Sequence, residues 1–166
     1  MFYYEILEAF YKHGIKYLLV GGLAVILYGI PRTTQDIDVV ISMNEENVKK
    51  MNKILKNLGY RPRLPVNPDD LAKPEVVKKW VNNKNLKAFS FYHKKESYKI
   101  FDIVIVNAPN FEEAFKNRNI KKVKDIEIYL ASIDDLILMK ESSDRLQDLS
   151  DAELLKKSKK WMGENE

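Results

Sequence analysis

Asp36 and Asp38 stand one residue apart in Asp36-Ile37-Asp38-Val39-Val40-Ile41, an apolar run of strand character. Side chains alternate along a strand, so the two carboxylates share a face, about 6.6 Å apart at Cα, while Ile37, Val39 and Ile41 point to the other face. Like charges at that spacing repel and raise each other's pKa unless a cation lies between them. Mg²⁺ is the natural cation, since it takes hard oxygen ligands and shares them with substrate phosphates. The plainer reading is a solvated strand edge with ordinary surface carboxylates. Upstream, Gly21-Gly22 interrupts the apolar run from Tyr17 to Val20. Two glycines allow a tight turn and let a ligand approach bare backbone. A short helix from Leu23 to Tyr28 then offers its first N–H groups to an anion such as phosphate. Asp102 is a third carboxylate, alone in the apolar stretch Ile100 to Val106. It is costly there unless it is paired or lies on a polar face. It reads either as a further ligand or as a surface Asp on the open face of a half-buried sheet.

These residues need a frame. Apolar positions at helical spacing predict a helix over Phe2–His13, packed on the sheet beside the glycine turn. Asn44 is a good N-cap for a helix with Val48, Met51, Ile54, Leu55 and Leu58 inward. Residues 60–73, with Pro62, Pro65 and Pro68, read as a loop holding at most one helical turn. A short helix is expected over 75–82, with Val76, Val77 and Trp80 inward. Residues 86–93 and 98–106 read as antiparallel strands around Lys94-Lys95-Glu96-Ser97. A short helix over 111–117 precedes a hairpin, 120–123 and 126–130. Ser132 caps a helix through Leu136, Ile137, Met139 and Lys140, and a final helix is expected over 146–161. Trp80 and Trp161 read as packing residues. His13 and His93 have no partner histidine at metal-ligand spacing.

In order and spacing, Gly21-Gly22, Tyr28-Gly29, Arg32, Thr34, Asp36 and Asp38 resemble the nucleotidyltransferase superfamily of the DNA polymerase β-like fold. More narrowly, the pattern is similar to the small prokaryotic group related to AbiEii-type toxins. The resemblance covers about residues 15–42, the neighbourhood of Asp102, and 132–155; nothing in 60–85 matches it. It implies an α+β fold, a mixed sheet flanked by helices with further C-terminal helices. It also implies catalytic and metal-binding roles for Asp36, Asp38 and Asp102 with Mg²⁺ or Mn²⁺, and a phosphate cradle at Gly21 and Gly22. Arg32 and Thr34 would meet phosphate oxygens; read without the family, they are a salt bridge to Asp36 and a loop-shaping hydroxyl. The family's Lys-x4-Arg-x-Lys-Asp-x-x-Asp is matched by Lys140, Arg145, Asp148 and Asp151, with Gln147 in place of the basic residue. Lys140 and Arg145 are thus implied nucleotide-binding residues; otherwise Arg145 pairs with Asp148 or Asp144 in a salt-bridged turn. The implied reaction moves an NMP from an NTP to an acceptor hydroxyl on RNA, protein or a small molecule, and an antitoxin partner is a further implication. The rival reading is a binding module that keeps the fold without catalysis.

The composition agrees with a globular protein. The 166 residues are 45% hydrophobic and 31% charged, and favour one domain over 1–166, with a core over about 1–130 and C-terminal helices over 132–161. With no cysteine, disulfides and thiolate metal sites are excluded, and a cytoplasmic location is expected. The net charge of +4 permits a polyanionic partner without demanding one. Residues 1–12 lack the basic start of a signal peptide. The longest nearly apolar stretch, Tyr17 to Ile30, is too short and glycine-broken to span a membrane.

Overall fold

The computed structural model describes residues 2–164. In chain order it contains α1 (Phe2–His13), β1 (Tyr17–Val20), α2 (Gly21–Leu27), β2 (Asp36–Ile41), α3 (Glu45–Asn57) and β3 (Tyr60–Pro62). A 3₁₀ turn (Pro68–Ala72) leads to α4 (Pro74–Lys84), β4 (Ala88–His93), β5 (Ile100–Val104), α5 (Phe111–Lys116), β6 (Asn119–Val123), β7 (Ile126–Leu130), α6 (Ile133–Glu141) and α7 (Leu146–Glu164). The strands form one mixed seven-stranded sheet in the order β3-β4-β5-β2-β1-β7-β6. β2 runs parallel to β5 and β1 parallel to β7; the other pairs are antiparallel. This is the expected α+β architecture.

The period-two pattern of β2 and β5 assigns the faces. Ile37, Val39, Phe101 and Ile103 are fully buried and alternate with half-buried Asp36, Asp38 and Asp102. α1 covers the apolar face: the Phe10 ring meets Tyr17 at 5.5 Å and Phe101 at 5.7 Å between centroids. α3 lies beside α1 and buries Val48, Met51, Ile54 and Leu55. Ser132 caps α6 as expected, its hydroxyl accepting from Asp135 N.

Three expectations change. The stretch read as a loop over 60–73 also contains β3, paired to β4, while the 3₁₀ turn is the one helical turn expected there. β3 is an edge strand, where the N–H that Pro62 lacks is not required by a second neighbour. α4 begins at Pro74, a favourable first helical residue, and is longer than expected. Trp161 is 66% exposed rather than buried, because α7, with 19 residues, outruns the nine-residue α6 beside it. Trp80 is buried against Phe89. Among the described residues no helix is long and apolar enough to cross a membrane.

Asn47 fixes the first turn of α3 to the carboxylate-bearing strand. Its Nδ2 donates to the carbonyls of Lys16 at 3.0 Å and Ser42 at 2.8 Å, and its Oδ1 accepts from Lys16 N at 2.8 Å. It is a buried amide with its hydrogen bonds made, so truncation strands Lys16 N and the Ser42 carbonyl, while the Lys16 carbonyl still accepts from Ser42 N at 3.1 Å. Asn47→Ala is predicted to destabilise the protein by about 2–4 kcal/mol. Urea unfolding checks this, and an unmoved midpoint at unchanged slope would refute it.

Candidate functional site

Register brings the carboxylates together. Asp38 and Asp102 are direct partners across the parallel β2–β5 ladder, and Asp36 lies one pleat along on the same face. Ser90 is the partner of Asp102 on β4, and Val20 that of Asp38 on β1. Burial pushes the Asp38 carboxyl up to about 7, helped by Asp102 and Asp36, while Lys140 and Arg145 pull it back. Burial also raises Asp102, with Asp36 adding to it; Ser90 and the positive charge of Arg63 oppose. Asp102 Oδ1 is buried with no hydrogen-bond partner.

The glycines stand against these acids. The helix α2 starts at Gly21, so the glycines form its first turn rather than a separate turn before it. Gly21 has φ +67°, which reverses the chain out of β1, and a Cβ there would sit 2.8 Å from the Asp38 Cβ. At Gly22 a Cβ would lie 2.8 Å from Thr34 Oγ1 and 3.1 Å from Arg32 Cζ. Gly21, Gly22, Arg32 and Thr34 therefore meet beside Asp38. A cleft of about 370 Å³ opens next to them, lined by Arg32, Thr34, Asp36, Leu23, Ile26 and Tyr3 among others. A larger one of about 530 Å³ lies between α3, β3 and the 3₁₀ turn and shares no residue with the carboxylates.

The C-terminal helices close on this cluster through charge. Arg32 pairs with Asp151 of α7, not with Asp36. Lys140, buried on α6, reaches Asp148 at 2.9 Å and Asp151 at 3.1 Å. Arg145 is exposed and pairs with Asp148 at 2.9 Å. Burial works against ionised Asp148, but Ser143, Lys140 and Arg145 outweigh it and hold its carboxyl below the ordinary range. Thus Lys140 and Arg145 act on Asp38 from a network whose anions are Asp148 and Asp151. Ser90 and Arg63 escaped the sequence reading. Ser90 left a faint mark, a small polar residue between Phe89 and Phe91; Arg63 lies in the proline-rich stretch, which carried no pattern.

Among the described residues no three His, Cys, Asp or Glu side chains converge as a ready-made metal cage. The donor chemistry nevertheless suits a hard divalent cation: carboxylates on one face, one with an orphaned oxygen and one whose charge is disfavoured by burial and by its neighbours. Mg²⁺ keeps several waters and takes substrate oxygens, so it does not require an all-protein cage.

The seven-stranded mixed sheet with flanking helices has the polymerase β-like fold of solved nucleotidyltransferases. The crystal structure of the lincosamide antibiotic adenylyltransferase LnuA, lincomycin-bound, superposes with a TM-score of 0.61 at 20% identity, over 93% of this chain and 94% of that one. ANT(2")-Ia in complex with adenylyl-2"-tobramycin gives a TM-score of 0.60 at 14% identity, over 95% and 87%. At these identities the likeness is one of fold. Residues 5–158 match the family described as nucleotidyltransferase of unknown function (DUF6036), and the chain belongs to that family. No curated protein matches it by sequence.

The Asp38 environment sets a pH dependence. With a folded pKa near 7 against an ordinary 3.8, Asp38 keeps its proton in the folded state after the unfolded chain has lost it. The unfolded state then binds fewer protons, so stability falls as pH rises from about 4 to about 7. Asp38→Asn removes this cost. In metal-free buffer with chelator it is predicted to be about 2–4 kcal/mol more stable than wild type at pH 8, the gain shrinking toward zero by pH 4. Denaturant melts across that range are the check, and parallel stability–pH curves would exclude the raised pKa.

Proposed function

We propose that the protein is a metal-dependent nucleotidyltransferase that moves an NMP from an NTP to an acceptor hydroxyl and releases pyrophosphate. The observation that carries this is the Asp38–Asp102 pairing on the face that also holds Asp36, with Asp102 Oδ1 unpartnered. Asp36, Asp38 and Asp102 would hold Mg²⁺ (or Mn²⁺), which supplies Lewis-acid stabilisation of the oxygens entering and leaving phosphorus. Asp38, the register partner of Asp102, would be a ligand together with it. Asp102 lies on the side away from the glycines; it would accept the hydrogen bond of the acceptor hydroxyl and orient it for attack.

Gly21 and Gly22 would admit the β- and γ-phosphates against bare backbone, with the Thr34 hydroxyl donating to a phosphate oxygen. Arg32 would face them while held by Asp151. Lys140 and Arg145 would add positive potential from behind Asp38, a role their pairing with Asp148 and Asp151 permits without direct phosphate contact. The cleft of about 370 Å³ is of the size that small-molecule sites occupy, and would take the nucleoside.

The finer placement, an AbiEii-related toxin with a protein antitoxin, is a second reading. It has one structural support: Leu138, Leu146, Leu149 and Leu154 are exposed apolar side chains on α6 and α7 that a partner would cover.

Mg²⁺ with an NTP is predicted to raise the melting temperature, and Mg²⁺ alone to do so weakly. Asp38→Asn is predicted to fold and to lose transfer at least about a hundredfold, equivalent to ~3 kcal/mol of transition-state stabilisation. Thermal melts with the four NTPs and a labelled-NTP transfer assay read both. Equal transfer by wild type and Asp38→Asn would remove Asp38 from the mechanism.

A further inference from the structure

We propose that Arg63 selects the acceptor, and that the acceptor carries its own phosphate; this rests on the nucleotidyl-transfer reading above. One rung of the sheet runs Val20, Asp38, Asp102, Ser90. Arg63 extends it, since its N–H donates to the Ser90 carbonyl at 2.8 Å, continuing the β3–β4 register. Residues paired across a sheet share a face, so Arg63 stands on the carboxylate face, two strand spacings or about 10 Å beyond Asp102. Its charge acts on Asp102. The glycines lie at the opposite end of the rung, directly after Val20. In-line displacement places the entering oxygen opposite the leaving one. With pyrophosphate on the Gly21-Gly22 side, the acceptor must enter over Ser90 and Arg63.

Arg61 and Arg63, alternate residues along this edge, both stand on the carboxylate face as register partners of Tyr92 and Ser90. Arg63 is exposed. Tyr92 and Ile100, half-exposed register partners on the same face, offer a flat apolar surface beside it. An amine-rich acceptor would meet like charge here. A phosphate would find a guanidinium able to bind it in two-pronged fashion, with a ring nearby for a base to stack on.

The test is a transfer panel with Mg²⁺ and NTP, offering AMP, a short single-stranded oligoribonucleotide, tobramycin and lincomycin. Binding of labelled oligoribonucleotide and of AMP is measured in parallel without NTP. A phosphate-bearing acceptor should be used, and whether AMP or the oligoribonucleotide serves tells a free nucleotide from a strand end. Arg63→Glu should raise the KM for that acceptor by about tenfold or more and weaken its binding as much, leaving the KM for NTP within about twofold. Arg63→Lys should recover part of the loss, and Lys122→Glu, on β6 at the far edge of the sheet, should change neither constant. Preferred transfer to tobramycin or lincomycin, or an acceptor KM and binding indifferent to Arg63→Glu, would overturn the proposal. Arg63-dependent binding without transfer to any acceptor would instead count against the transferase reading and leave the Arg63 site standing.

Discussion

Asp38 and Asp102 face each other across one rung of the sheet, with Asp36 a pleat away, and burial disfavours the charge on two of the three. An unneutralised cluster of this kind strains the fold that holds it. Much of the surrounding architecture answers that constraint. Ser90 and Arg63 temper Asp102 from the β4 side, and Lys140 and Arg145 temper Asp38 from the C-terminal helices. The compensation is partial: Asp38 is still held near 7, and Asp102 keeps an oxygen without a partner. Under the function proposed above, a site left short of positive charge in this way would take a cation arriving with substrate.

The C-terminal helices contribute more than bulk. Lys140, Asp148 and Asp151 are all buried, and Arg32 joins them from the loop before β2. Buried ion pairs seldom add net stability over apolar packing, yet removing one partner strands the other at a cost of several kcal/mol. Their value here is positional. Asp151 ties α7 to the loop carrying Arg32 and Thr34, which itself packs on Gly22, so α6, α7 and the glycine turn are set relative to one another by charge. Gln147, which replaces a basic residue of the family pattern, is exposed and outside this network, so the network closes without it.

Legibility from sequence followed the physics of each element. Alternation in β2 and β5 assigned both the buried face and the carboxylate face, because a strand's period leaves no other choice once one face is apolar. Ser132, Asn44 and the hairpin at Lys124-Asp125 were readable because capping and turn chemistry are local. β3 was not: three residues with a proline have no periodicity to show, and only pairing with β4 makes them a strand. Arg63 was hidden for the same reason. The partner of Arg32 was equally out of reach, since an ion pair spanning 119 residues depends on how α7 docks.

The likeness to the two antibiotic-modifying enzymes spans more than nine-tenths of this chain, but at 20% and 14% identity it describes a frame rather than a substrate. For the proposed transfer the frame must supply a rigid link between the strands carrying Asp38 and Asp102 and the edge carrying Arg63. Here the link is aromatic. Beneath the rung of Asp38, Asp102 and Ser90, on the apolar face, ring contacts run from Trp80 to Phe89 at 5.4 Å, Phe89 to Phe91 at 5.3 Å and Phe91 to Phe101 at 6.2 Å, then on to Phe10 and Tyr17. Such rings bury large areas in tilted and edge-on geometries that resist sliding. The row couples α4 and β4 to β5, and through α1 to β1. The edge that carries Arg63 therefore keeps its register with the strand that carries Asp102, while the residues exposed along that edge are free to differ from those of the antibiotic enzymes.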